Sequence, residues 1–215
     1  MYKRLDSLLA KLKKKLRTEF NRLGLLGFDE LNVTNTKKVT KEVFDRLLSE
    51  NEKVYQKAAS AAYTSAKQQA KGVGYTEEIV EELGSAWLIG VLLAYNFVSG
   101  YVYDREAERK RLRLNEQILT AREYDNRQLF NSSLQRTANL WWTQTSHYGV
   151  HIVDKATLRG FADMGVKKVR WKSVIDGREC KDCRERNNKI YKISEVPEKT
   201  HYGCRCYLEP VKTEE

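Results

Sequence analysis

Residues 180–183 read Cys-Lys-Asp-Cys and residues 201–206 read His-Tyr-Gly-Cys-Arg-Cys, and these two clusters contain every cysteine of the chain. A CxxC followed by HxxCxC is typical of two tight turns that converge on one point. Zn²⁺ prefers four ligands in a tetrahedron, usually thiolates with or without an imidazole. The sequence therefore predicts a structural Zn²⁺ site with five candidate ligands for four places: Cys180, Cys183, His201, Cys204 and Cys206.

The two clusters indicate a metal site rather than disulfide bonds. The N-terminus is charged and lacks the apolar run of a secretory signal, so we expect an intracellular context in which cysteines stay reduced. We expect Cys180, Cys183 and Cys206 among the ligands. The fourth ligand is either His201 or Cys204.

The residues around the cysteines alternate between apolar and charged, which predicts short strands. One strand is expected around Val169 and Trp171, a second over 190–193, and a third through 204–208, with an Asp176-Gly177 turn after the first. We expect the Trp171 ring to form the main apolar core of this segment. A unit of about fifty residues has little core of its own and generally needs a metal or disulfide.

The rest of the chain has helical periodicity. Helices are predicted over 3–23, from Thr40 to the glycines at 72 and 74, over 104–146 as one or two exposed helices, and over 150–164 with Gly165 as the stop. The expected apolar stripe of the third region is Leu112, Leu119, Leu129, Phe130, Leu134 and Leu140. The predicted fold class is α+β, with a helical body over 1–164 and a small β-rich, zinc-stapled cap over 165–215.

The run from Leu83 to Tyr103 contains no charged residue and is long enough for a membrane helix. Three glycines and several polar residues interrupt it, so we expect a buried helix rather than a membrane contact.

The N-terminal helix is basic and amphipathic. Residues 1–22 contain eight Lys or Arg against two acidic residues, in a chain whose net charge is +10. Leucines recur along one side of this helix, and lysines occupy the others. We expect it to bind an acidic partner, either DNA or a protein, although a helix that packs on the body with a solvated basic face has the same pattern.

The order Gly165, Trp171, Asp176, CxxC at 180–183, HxxCRC at 201–206 and Pro210 resembles the C-terminal signature of phage head morphogenesis proteins, the minor head proteins similar to protein F of phage Mu. The resemblance covers roughly residues 140–210. One departure is Tyr202, where the family usually has proline after the histidine.

This resemblance implies a structural minor capsid protein of a tailed bacteriophage, without enzymatic activity. It would lie in the capsid interior, in several copies around the portal vertex, and in the host cytoplasm during assembly. Its implied partners are the portal protein, other capsid proteins and packaged DNA, and its implied role is in head assembly or in DNA packaging and ejection.

Two alternatives belong to other classes. A zinc-ribbon nucleic-acid-binding protein is compatible with the Lys and Arg residues around the CxxC. A nuclease of the His-Asn-His kind would need a histidine base beside an open metal site, and we expect His147 and His151 to be ordinary surface or packing residues. No residue is therefore predicted to be catalytic.

Overall fold

The computed structural model describes residues 2–25, 27–76, 84, 86–92, 103–175, 179–199 and 204–212. The described chain is mostly helical and ends in a small three-stranded antiparallel sheet, so the α+β class is confirmed. Its helices are α1 (Tyr2–Leu25), α2 (Val33–Gly72), α3 (Tyr103–Glu123), α4 (Arg127–Asp163) and α5 (Lys181–Arg186), and its strands are β1 (Lys168–Lys172), β2 (Ile190–Lys192) and β3 (Tyr207–Val211). Short 3-10 turns cover Phe28–Glu30 and Ile193–Glu195, and residues 86–92 are helical.

The chain forms two compact units. We call the first the cysteine unit, which consists of Met1–Ser7, Tyr55–Val91 and Ser146–Glu215. We call the second the helical unit, which consists of Leu8–Val54 and Leu92–Thr145. The change from helices to strands does occur after α4, and the domain boundary predicted between residues 164 and 165 stays a prediction.

Three residues of the apolar stripe of α1, Leu16, Phe20 and Leu23, belong to the core of the helical unit. Leu12, Leu16, Phe20 and Leu23 are all buried, whereas the lysines and arginines between them are exposed. The amphipathic helix predicted over 3–23 is thus confirmed. Its leucines are needed for packing, because apolar side chains at this spacing share one helix face.

Helix α2 begins earlier than the sequence predicted. The backbone N–H groups of Thr34 and Asn35 both donate to the Asn32 side-chain oxygen at 3.0 Å, and the Asn32 N–H donates to the Asn35 side chain at 2.7 Å. This reciprocal cap satisfies donors that a helix start otherwise leaves unpaired. The expected start at Thr40 is wrong, because Thr40 is a buried residue inside the helix.

The region predicted as one or two helices followed by a separate helix over 150–164 consists of α3 and α4. Helix α4 runs without interruption through the tryptophan pair, so the separate short helix is wrong. Trp141 is buried against Phe44, with ring centroids 5.1 Å apart, and Trp142 is half-buried beneath Lys13. Two members of the predicted apolar stripe, Leu112 and Leu140, are exposed, and the buried apolar side chains of α3 are instead Ala107, Leu114, Ile118 and Ala121.

The sheet has the strand order β2-β1-β3, and β1 lies antiparallel to both neighbours. The chain reaches β1 through a Schellman motif at the end of α4. Gly165 has φ of +75°, its N–H donates to the Ala162 carbonyl, and the Val166 N–H donates to the Phe161 carbonyl. The glycine stop predicted at 165 is confirmed, because this position requires the left-handed conformation.

Trp171 is the largest fully buried side chain of the described residues and lies in the core beneath the sheet, as predicted. Helices complete that core, since α2 contributes Ala66 and Ala70 and α4 contributes Phe161. The third strand begins at Tyr207, so the prediction that it contains the two C-terminal cysteines is wrong.

Most of the uncharged run from residue 83 to 103 lies outside the described residues. Among the helices that are described, none has both the length and the apolar content needed to cross a bilayer.

Candidate metal centre

The CxxC motif spans the start of α5. Cys180 is the N-terminal cap of this helix, and its Sγ accepts a hydrogen bond from the Cys183 backbone N–H at 3.3 Å. The Arg184 N–H donates to the Cys180 carbonyl at 3.0 Å. This tight turn carries the Cys183 side chain into the core while Cys180 stays half-buried.

Cys204 and Cys206 lie immediately before β3 and are both buried. Pairing of β3 with β1 brings this segment to α5, since β1 leads directly into the segment before the CxxC motif. The sulfurs of Cys183, Cys204 and Cys206 lie within 4.8 Å of one another. The sheet therefore brings together thiols that are more than twenty residues apart in sequence.

The spacing of these sulfurs fits a metal ion. Thiolates at 2.3 Å from Zn²⁺ in a tetrahedron are about 3.8 Å apart. The Sγ atoms of Cys183 and Cys204 are 3.4 Å apart, and none of the four cysteines forms a disulfide. Three buried thiols, with that of Cys180 nearby, thus form a cluster that could hold a metal ion.

The thiols perturb one another strongly. Burial, with hydrogen bonds to Cys206 and Cys180, raises the pKa of Cys183 to about 12. A hydrogen bond with Cys206, together with burial, raises the pKa of Cys204. Hydrogen bonding from Cys204 lowers the pKa of Cys206 to about 5 against the effect of burial. Closely spaced thiols share one negative charge in this way and ionise together only beside a cation.

Two side chains that are not among the predicted metal ligands, those of Ser173 and Trp171, lie beside Cys206. The Ser173 Oγ lies 3.6 Å from the Cys206 Sγ and also donates to the Cys183 carbonyl. The indole Nε1 of Trp171 is buried and makes no hydrogen bond of ordinary geometry to any described residue, yet it helps to lower the pKa of Cys206. An indole donor beside a thiol suits a negatively charged sulfur, as metal ligation would leave it.

Ion pairs fix the segment that leads to Cys204. The Lys199 Nζ lies 2.9 Å from the Asp154 Oδ1 with both side chains largely buried, and Lys155 pairs with Glu198 at 3.3 Å. Arg186 on α5 donates to the Glu198 carbonyl at 2.9 Å, and its guanidinium lies over the Trp171 ring at 5.3 Å. These contacts fix Glu198 and Lys199, and Glu198 is bound directly to α5.

Sequence reasoning missed Ser173, Asp154 and Lys199. A serine two residues after a buried tryptophan carries no signal of its own. An Asp and a Lys that are forty-five residues apart show no pattern either, and only their contact in the fold reveals the pair.

Of the five candidate ligands, the structure groups Cys183, Cys204 and Cys206 and places Cys180 next to them. His201 and the predicted Asp176-Gly177 turn lie outside the described residues. His147 and His151 are on α4, and neither belongs to a potential metal-binding group among the described residues.

Comparison with family models, with curated proteins and with solved structures finds no match to this chain. The resemblance to phage head morphogenesis proteins therefore stays a prediction.

Proposed function

We propose that the thiol cluster binds one structural Zn²⁺ through Cys180, Cys183, Cys204 and Cys206. The observation that carries this proposal is the convergence of three buried sulfurs within 4.8 Å, next to the CxxC turn. Four thiolate ligands close the coordination shell, which is typical of structural rather than catalytic zinc. The metal would cross-link α5 to the residues just before β3.

His201 is the competing fourth ligand. Cys204 is favoured because it is buried against Cys183, so a site without Cys204 would leave an unused thiol in contact with bound thiolates. The cation would also offset the burial of charge, which otherwise makes ionised thiols costly in this position.

Zinc content of purified variants tests this ligand set. We expect about one zinc per chain in the wild type and in His201→Asn, and almost none in Cys204→Ser, because removal of one ligand from a closed site strongly weakens binding. Zinc retained by Cys204→Ser but lost from His201→Asn would assign the fourth place to the histidine. A wild-type protein without zinc would overturn the site.

We also propose that the chain is a minor head protein of a tailed bacteriophage, which acts at the portal vertex as a structural component. The support is the order of Trp171, the CxxC and the CRC motif. A closed thiolate site adds to it, since such a site offers no open position for a substrate. Its partners would be the portal protein and other capsid proteins.

The zinc-ribbon alternative is less well supported by the contacts around α5. Phosphate binding needs available cations, and Arg186 is engaged by Glu198 and Trp171, whereas Arg184 and Lys181 keep exposed side chains in weak surface ion pairs. The contacts of Arg186 thus remove one of the cations on which this alternative rests, and the exposed ones remain.

Purified phage heads provide the test of the structural role. We expect mass spectrometry to detect the protein in heads, at a ratio to the portal protein that is constant between preparations and resistant to external protease. If the protein is present only in the free fraction of the lysate and absent from heads, the virion role is wrong, whatever the zinc analysis shows.

A further inference from the structure

A groove of about 720 Å³ lies between α1 and the first half of α4, wholly within the helical unit. Its walls present four amide side chains, Asn21 on α1 and Asn131, Gln135 and Asn139 on α4, together with Arg17. The three α4 amides are spaced four residues apart and therefore share one helix face. Within the described part of the chain, these four amide groups make no hydrogen bond to another protein group.

The floor of the groove is apolar and shallow. Phe20 and Leu134 are buried beneath it, and Gly24 and Ala138 contribute almost no side chain. A Cβ added at Gly24 would lie 3.6 Å from the Leu134 Cδ1, so the two helices approach closely there. These small residues leave room for a ligand between Asn21 of α1 and the three amides of α4.

The electrostatic surroundings of the groove are positive. Residues 7–18 and residues 127–153 contain no Asp or Glu, whereas residues 7–18 contain five Lys or Arg. The carboxylate of Glu19, next to Phe20 in sequence, forms an ion pair with Arg46 at 3.1 Å. Lys14 is exposed and lies three residues before Arg17, on the same side of α1.

We propose that this groove binds a single strand of nucleic acid. Arg17 and Lys14 would contact phosphates, and the amides would donate to and accept from sugars, phosphates and base edges, which is how Asn and Gln contact nucleic acids. Residues of both α1 and α4 line the groove, so an unpaired strand lying in it could present its base edges to the amides. The bases of a duplex are paired with each other and stacked inside it, so a single strand fits this lining better.

The amides distinguish this ligand from an acidic peptide. The carboxylates of an acidic peptide only accept hydrogen bonds. Lysines would bind them as well as amides do, so a groove for such a peptide would not need amides. Four groups that both donate and accept, three in a row on α4 and one on α1, are matched by nucleotides, which present both kinds of partner along their length.

Anisotropy of a fluorescently labelled oligothymidylate of about twenty nucleotides tests the proposal, with titrations from about 50 to 200 mM salt. We expect the wild type to bind. Lys14→Gln/Arg17→Gln should weaken binding about 25-fold at 0.1 M salt and lower the salt slope by about 1.4, because each single-strand phosphate contact contributes about 0.7 to the slope. The matched control Lys37→Gln/Lys38→Gln removes the same charge from exposed positions on α2 and should change neither quantity as much.

Asn131→Ala/Asn139→Ala removes amides without a change in charge. We expect weaker binding with the salt slope unaltered, and a folded protein, since alanine is a good helix former at exposed positions. Circular dichroism of each variant should match the wild type.

Three results would overturn the proposal: no binding by the wild type at 50 mM salt, equal losses in the groove and control variants, or tighter binding of polyglutamate with no effect of the amide variant. The last result would assign the groove to an acidic protein. Because the groove contains no candidate zinc ligand, none of these results bears on the metal site.

Discussion

The two units of this protein have cores of different composition. In the helical unit, aromatic and aliphatic side chains spaced along four helices supply the core. In the cysteine unit, three of the eleven buried residues in the core beneath the sheet are cysteines, and two more are alanines. Fewer apolar groups there leave more of the stability to the thiols and to any metal that they bind, whereas the core of the helical unit rests on apolar burial.

Removal of a thiol should produce the largest difference between the two units in their protection from hydrogen exchange. In Cys183→Ser we expect zinc content to fall to almost none and backbone amides in β1 and β3 to exchange rapidly, because structural zinc contributes about 10–16 kcal/mol of binding free energy. Amides of α1 should keep their protection. Hydrogen exchange with mass spectrometry measures both, and equal loss of protection in the two regions would contradict a metal-dependent sheet.

The corresponding test of the helical unit is a substitution that creates a cavity in its core. Leu16 is 2% exposed, so Leu16→Ala should lower the free energy of unfolding by about 2–5 kcal/mol while zinc content stays unchanged. Leu112→Ala is the matched control, since Leu112 is 47% exposed and its truncation should cost less than about 0.5 kcal/mol. Urea unfolding gives both values. Similar losses in the two variants would mean that the stripe on α1 is not core.

A smaller effect is expected where α2 and α4 touch inside the cysteine unit. A Cβ on Gly160 would lie 2.7 Å from the Tyr63 carbonyl oxygen and 2.9 Å from the Ala66 Cβ. Gly160→Ala should therefore destabilise by about 1–2 kcal/mol, as the cost of overpacking exceeds the gain in helix propensity. At Gly90, which is also helical, an added Cβ meets nothing within 4 Å, so Gly90→Ala should be neutral or stabilising. A stable Gly160→Ala variant would show that the helices can separate without cost.

The smallest expected effect concerns pH. Burial, with repulsion from Lys155 and His147, lowers the pKa of His151 from 6.5 to about 3. The unfolded chain then binds a proton that the folded chain does not, so stability contributed by the neutral imidazole is lost as pH falls from about 6.5 toward 3. His151→Gln should reduce the fall in melting temperature between pH 7 and pH 5. An unchanged difference would contradict the buried neutral state.

The helices were largely predictable because their apolar residues recur at helical spacing and because Gly74 and Gly165 end two of them. The start of α2 was not predictable, because the sequence around the cap made by Asn32 and Asn35 resembles that of a turn. The choice of buried positions in α3 also failed at Leu112, because several faces of that helix carry leucines and only packing selects among them.

For the metal centre, the sequence supplied the candidate cysteines because their spacing limits the turns that can hold them. It could not supply Ser173 or the pair of Asp154 and Lys199. Their contribution depends on the path of the chain between α4 and β3, which no local pattern specifies.

Arg186 has a consequence for the rate at which a bound metal would leave. Its contacts with Trp171 and Glu198 tie α5 to the segment before Cys204, so both sets of ligands stay close when any single sulfur dissociates. A detached thiolate would then rebind quickly, because it stays at a high effective concentration beside the ion. If a metal is bound there, its escape would require several sulfurs to be released together, and exchange with a competing chelator would be slow even when equilibrium favours the chelator.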